Sequence, residues 1–166
     1  MGVSVLSTIK IIFLFGFTLH NLEEAVWLPK WSNYAKRFHQ PVQSDQFIFA
    51  VIVITMIGYI LTALDFLAGV SGNILNYTYL GFVGMMGLNS IFPHLVSTIV
   101  LKKYCPGLVT GLFFNLPFSV ILITGYIKNG FDAVYVLGAV IIVSSLTLFS
   151  LKYLFRLGSV LIDFSD

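Results

Sequence analysis

Ile11-Ile12-Phe13-Leu14-Phe15-Gly16-Phe17-Thr18-Leu19 runs directly into His20-Asn21-Leu22-Glu23-Glu24. The first part reads as a helix soluble in hydrocarbon, and it ends in groups that hydrocarbon tolerates poorly. A charge at the centre of a transmembrane helix costs on the order of 2.5–3.5 kcal/mol, and less near the interface. A chain that keeps an imidazole and two carboxylates there either satisfies them against other groups or uses them.

The rest of the chain continues that pattern. Of its 166 residues 58% are hydrophobic and 10% charged, whereas a soluble domain carries about 25% charged residues. The fold class expected is all-α: one transmembrane domain over residues 1–166, a bundle of five helices in the cell membrane. Apolar runs place the spans at about 5–28, 47–70, 77–101, 108–127 and 133–154, each near the ~20 residues needed to cross the hydrocarbon. Pro41, Ser71-Gly72-Asn73, Cys105-Pro106-Gly107 and Asn129-Gly130 mark the breaks. The first span is not expected to be a cleaved signal peptide, since no basic cluster precedes it. A net charge of +2 without a basic cluster speaks against a nucleic-acid partner, and the single cysteine, Cys105, excludes an intramolecular disulfide.

Charge sets the expected orientation. Lys30, Lys36, Arg37, Lys102, Lys103, Lys152 and Arg156 fall on one side of a five-span chain and leave Lys10 and Lys128 on the other. Positive residues favour the cytoplasm, so the N-terminus is expected outside and the C-terminus inside. Trp27, Trp31, Tyr104 and Tyr153 then mark the cytoplasmic boundary. At about 1.5 Å per residue, His20 lies roughly 15 Å from Lys30 and His94 about 12 Å from Lys102. Asn89, Asn115 and Ser144 fall in the same slab, while Asp65 sits near the outer end of span two and Lys10 is free to snorkel outward.

His20, Glu23 and Glu24 stand at i, i+3 and i+4 and share a helix face. Pro93 offers a kink that turns both Asn89 and His94 inward. Two imidazoles and a carboxylate form the ligand set of zinc hydrolases, and all four ionisable groups would also suit iron. The expected metal ligands are therefore His20, Glu23, Glu24 and His94, with Glu23 or Glu24 as the catalytic acid–base. Asn89, Asn115 and Ser144 are expected to contact substrate or to support the ligands. The plainer readings are that Glu23 and Glu24 end the span or pair with Lys30, and that His94 is an interior histidine bonded to Asn115 or Ser144. His39 reads as solvated, Cys105 as a loop thiol, and Gly81, Gly84 and Gly87 as a face for close helix packing.

His20-Asn-Leu-Glu23-Glu24 with the following Ala25-Val26-Trp27-Leu28-Pro29 resembles the signature of the HXXEE domain proteins, small multi-spanning membrane proteins of bacteria and archaea. Asn89-Ser-Ile-Phe-Pro-His94, Lys103-Tyr104-Cys105-Pro106-Gly107-Leu108-Val109-Thr110 and Leu116-Pro117 are similar to its later segments. The resemblance covers roughly residues 14–122. It implies that His20, Glu23, Glu24, Asn89 and His94 belong to one site, and it names no substrate. The Glu-Glu pair is also loosely similar to that of the intramembrane glutamate proteases related to CAAX processing, but Ala25-Val26-Trp27-Leu28 lacks the Arg that family places after it.

Three functions fit this pattern. The first is a metal-dependent, hydrolase-like enzyme using a divalent ion such as zinc or iron on a lipid or other membrane-embedded hydrophobic substrate. The second is a metal-free lipid isomerase or cyclase working by acid–base chemistry. The third is an accessory subunit or a proton- or metal-coupled carrier.

Overall fold

Within lipid a backbone must satisfy its own N–H and C=O groups inside one segment, so long apolar runs become long helices. The structure, a computed structural model, describes residues 2–37 and 41–162, and His39 lies outside them. Five helices are long and apolar enough to cross a membrane: α1 (Val3–Trp31), α2 (Ser44–Ala68), α3 (Ile74–Leu101), α4 (Leu108–Lys128) and α5 (Ala133–Ile162). Among the described residues all regular structure is helical. α1 runs on past its expected end at Leu28, because Pro29 falls in the last turn and forfeits only one backbone hydrogen bond. α2 stops at Ala68, two residues before its expected end at Val70, because Gly69 takes a φ of +62°.

One stripe of α1 is buried. Leu6, Lys10, Phe13, Phe17 and His20 recur at three- and four-residue spacing and are all inaccessible, while Val5, Ile11, Phe15, Leu22 and Val26 on other faces are exposed. The stripe packs against α2 and α4, and its Phe17 and His20 meet Phe82 and Asn89 of α3. α2 and α5 bury least and flank the bundle.

One expectation fails at the end of the bundle opposite Lys30 and Lys102. Lys10 does not snorkel; it is buried, and its Nζ lies 2.6 Å from Asp65 Oδ2. Asp65 stands apart from the histidines, as its place in span two suggests, and has partners of its own. Tyr126 of α4 donates to its Oδ2 (2.5 Å) and Asn76 of α3 donates to its Oδ1 (2.7 Å). The ammonium also lies 4.8 Å from the Phe66 ring centre and 5.3 Å from that of Tyr126. One ion pair thus joins α1 to α2, and its hydrogen bonds bring in α3 and α4.

An aromatic layer separates that pair from the basic end. Phe13 and Phe17 stack, and Phe82 meets Phe17 edge-on with ring centres 5.2 Å apart. Leu80, Val83, Met86 and Leu122 complete the same core. The glycines of α3 allow close approach on two sides rather than one. A Cβ on Gly81 would lie 2.7 Å from the Ala139 carbonyl, and one on Gly84 2.4 Å from Val140, both in α5; one on Gly87 would lie 3.0 Å from Ser119 in α4.

Neither α3 nor α4 is regular throughout. α3 carries a π-type turn at Ser90–Leu95 and is kinked within it, where Phe92 leaves helical geometry (φ −127°, ψ 118°) just before Pro93, the kink that this proline leads one to expect. α4 widens likewise at Gly111–Asn115. The two turns abut, since a Cβ on Gly111 would lie 2.9 Å from Ser90 Oγ. Such turns are frequent at functional sites.

Candidate metal centre

His20 and Glu24 occupy successive turns of the buried stripe of α1, and the widened turn of α3 brings His94 to meet them. His94 Nε2 lies 2.8 Å from Glu24 Oε1, and His20 Nε2 lies 3.6 Å from the same oxygen. The imidazoles stand edge to face with centres 5.0 Å apart, and both residues are fully buried. One ligand atom from each of the three residues lies within 4.8 Å of the others. Asn89 Nδ2 sits between the rings, 3.1 Å from His20 Nε2 and 3.2 Å from His94 Nε2. A straight helix would put Asn89 and His94 about 140° apart; the widened turn closes that angle.

The hydrogen bonds fix how His20 is protonated. Its Nδ1 lies 3.0 Å from the Gly107 carbonyl, an obligate acceptor, so Nδ1 carries a proton. Thr110 Oγ1 is a further 3.2 Å neighbour of Nδ1, and it donates its own proton to Glu23 Oε2 (2.6 Å). In the neutral ring Nε2 is therefore the lone-pair nitrogen, facing Glu24, Asn89 and His94. A histidine that donates one N–H to a backbone carbonyl and points the other nitrogen inward has the outer-shell arrangement of metal-binding imidazoles.

Tetrahedral ligands at zinc bond lengths of about 2.0–2.1 Å stand roughly 3.3 Å apart, and the 2.8 and 3.6 Å separations bracket that value. The donor set of His20, Glu24 and His94 fits a divalent ion. Glu23 does not join it. One of its oxygens accepts from the Thr110 hydroxyl and the other from the Tyr104 hydroxyl, and Thr110 in turn neighbours His20.

The remaining expected residues separate. Asn115 is fully buried in the widened turn of α4, and neither end of its carboxamide has a hydrogen-bond partner among the described residues. The Ser144 hydroxyl in α5 is buried and likewise unpartnered. Neither bonds to His94, whose partners are Glu24, Asn89 and Cys105.

The connection between α3 and α4 supplies what the sequence reading missed. Cys105 is not a peripheral thiol: it is buried, with Sγ 3.5 Å from His94 Nδ1. Burial, with the Glu24 and Glu23 carboxylates nearby, pushes its thiol up to about 12. Burial and the hydrogen bond to Glu23 likewise push the Tyr104 hydroxyl up to about 12. Gly107 has a φ of +93°, and a Cβ there would lie 2.6 Å from His94 Cε1 and 2.9 Å from His20 Cε1. Only glycine gives both that conformation and that clearance. Pro106-Gly107 and the Thr110 that follows were visible as a turn, but nothing in a turn announces that its carbonyl orients an imidazole.

These features define a class: a helical bundle with apolar, membrane-length helices and a His–Glu–His cluster capped by a Tyr-Cys-Pro-Gly connection. The chain belongs to the HXXEE family, described as proteins of unknown function with an HXXEE motif, whose profile matches residues 11–122. It is similar to the uncharacterized protein YrkK of Bacillus subtilis (strain 168), with 44% identity over 147 residues, covering 88% of this chain and 92% of that protein. No solved structure matches it.

Proposed function

We propose that this protein spans the cell membrane with its N-terminus outside and its C-terminus in the cytoplasm. There it acts as a metal-dependent, hydrolase-like enzyme on a lipid or another membrane-embedded substrate. The observation that carries this reading is the convergence of His20 Nε2, His94 Nε2 and Glu24 Oε1 in a buried site, with the outer nitrogen of His20 held by the Gly107 carbonyl.

In this reading His20, Glu24 and His94 hold the divalent ion. A bound ion supplies a Lewis acid for a carbonyl or phosphoryl oxygen. Glu24 balances the ion's charge, and Asn89 keeps the two rings in place. Glu23 is the acid–base, because it lines the cleft beside Trp27 and Tyr104 and reaches His20 through the Thr110 hydroxyl. Tyr104 and Thr110 hold that carboxylate in one position and donate to its charged form.

A second reading has one observation behind it. The 2.8 Å contact of His94 Nε2 with Glu24 is a complete charge-assisted hydrogen bond without any metal. That arrangement fits an isomerase or cyclase in which the pair exchanges a proton with the substrate.

Elemental analysis of the detergent-purified protein separates the two. The metal reading expects about one divalent ion per chain, lost in His20→Ala, Glu24→Gln and His94→Ala and retained in Glu23→Gln. Metal that is sub-stoichiometric and indifferent to these substitutions would leave the metal-free reading. Reporter fusions check the orientation: a C-terminal fusion should report the cytoplasm, and one after Lys128 the outside.

A further inference from the structure

Beside the cluster, the surface holds a cleft of about 540 Å³ lined by Trp27, Trp31, Tyr34 and Tyr104 together with Lys30 and Glu23. Four aromatic walls and one ammonium make an amphipathic site. Trp31 is nine-tenths buried, yet its indole Nε1–H has no acceptor among the described residues. Buried donors are seldom left so, because an unmade hydrogen bond costs about 1–3 kcal/mol. Glu23 lines the same cleft, and its carboxylate accepts from Tyr104 and Thr110. Lys103 adds further positive charge at the rim, with its Nζ 3.2 Å from the centre of the Tyr34 ring.

We infer that this cleft binds a membrane lipid through its anionic head group, with Lys30 taking the head and Trp27 lying along the chain. Charge and shape select this occupant. A lipid without a phosphate would leave Lys30 unanswered, and a zwitterionic one would bring a cation of its own beside Lys30 and Lys103. A small soluble anion would leave the aromatic walls unused. Trp27 is more than half exposed on the outer face of α1, where a lipid chain runs. Glu23 lines the cleft and connects through Thr110 to His20, so a lipid held here presents its head-group region to the cluster. That the bound lipid is also the substrate rests on the proposed function; the binding itself does not.

The chain has two tryptophans, and both line this cleft. In a Trp27→Phe protein, fluorescence therefore reports on Trp31 alone. The test reconstitutes that protein in phosphatidylcholine vesicles containing increasing fractions of brominated phosphatidylglycerol or, in parallel, brominated phosphatidylcholine. Saturable quenching should appear at an about fivefold lower mole fraction of the anionic lipid, the preference that one lysine confers near a membrane surface. Lys30→Gln should abolish the preference. Lys36→Gln, outside the cleft, should leave it intact, and millimolar inorganic phosphate should not compete. Equal quenching by both lipids, or an equal loss in Lys30→Gln and Lys36→Gln, would overturn the inference in favour of general surface attraction. The arms stay separate from the function test. Lipid preference retained in a His20→Ala protein that has lost its metal supports the cleft alone; stoichiometric metal with no lipid preference removes the cleft and leaves the metal reading standing.

Discussion

Glu24 Oε1 lies 2.8 Å from His94 Nε2, while the carboxylate of the adjacent Glu23 turns away to Thr110 and Tyr104. Two neighbouring glutamates thus have different partners and, on the proposed reading, different tasks. Glu24→Gln should abolish stoichiometric metal. Glu23→Gln should keep the metal and lose turnover, so paired metal and activity assays on the two variants check the division. Equal loss of metal in both would contradict it.

The Thr110 side chain touches both His20 and Glu23. Thr110→Val keeps the shape and removes the hydroxyl. Outer-shell changes of this kind typically cost 10–100-fold in metal affinity. A competition titration with a chelating dye should show a loss of about that size, with full occupancy recovered at high metal concentration.

Lys10 and Asp65 should behave as a locked pair. Removing one partner leaves a buried charge uncompensated, at a cost of about 3–5 kcal/mol. Lys10→Met and Asp65→Asn should each lower the unfolding temperature in detergent strongly. The double variant should recover much of the loss, because Asn retains an acceptor for Asn76. Additive losses would mean that the pair is not coupled.

Gly107→Ala should disable the site without touching a ligand. The added methyl meets both imidazoles and forces a left-handed backbone on alanine. Metal content should fall as far as in His94→Ala, whereas Gly130→Ala, also at positive φ but in open space, should affect stability alone.

Cys105 should resist alkylation in the folded protein. Its thiol is buried and its pKa is raised from 9.0 to about 12, so the reactive thiolate is depleted throughout the neutral range. Maleimide labelling should be slow at pH 7 and remain slow at pH 9, then become fast once the protein is denatured. Labelling at pH 9 as fast as that of a free thiol would show the cap to be open.

Helix existence was legible because an apolar run has one outcome in lipid, whichever way its side chains point. The site was legible only as far as depth and helical spacing reach. They placed His20 and His94 at one level, but could not say which of Glu23 and Glu24 faces inward, since both share the face opened by His20. Rotation also defeated the outer half: Lys10 and Asp65 were placed at one end, yet nothing in their separation in sequence paired them. Ser144 shows the converse failure, a residue assigned to the slab from depth alone whose buried hydroxyl has no hydrogen-bond partner among the described residues. The Tyr104–Thr110 segment was recognised as a motif, while its contacts depend on a loop backbone that periodicity does not describe.

The Phe13–Phe17–Phe82 layer carries a consequence for energy coupling. In the proposed orientation it is apolar material between the two ionic clusters, Lys10–Asp65 on one side and His20–Glu24–His94 on the other. A conduit needs access from both compartments, whereas a one-sided reaction chamber needs a dielectric floor. On the proposed reading the three phenylalanines are that floor.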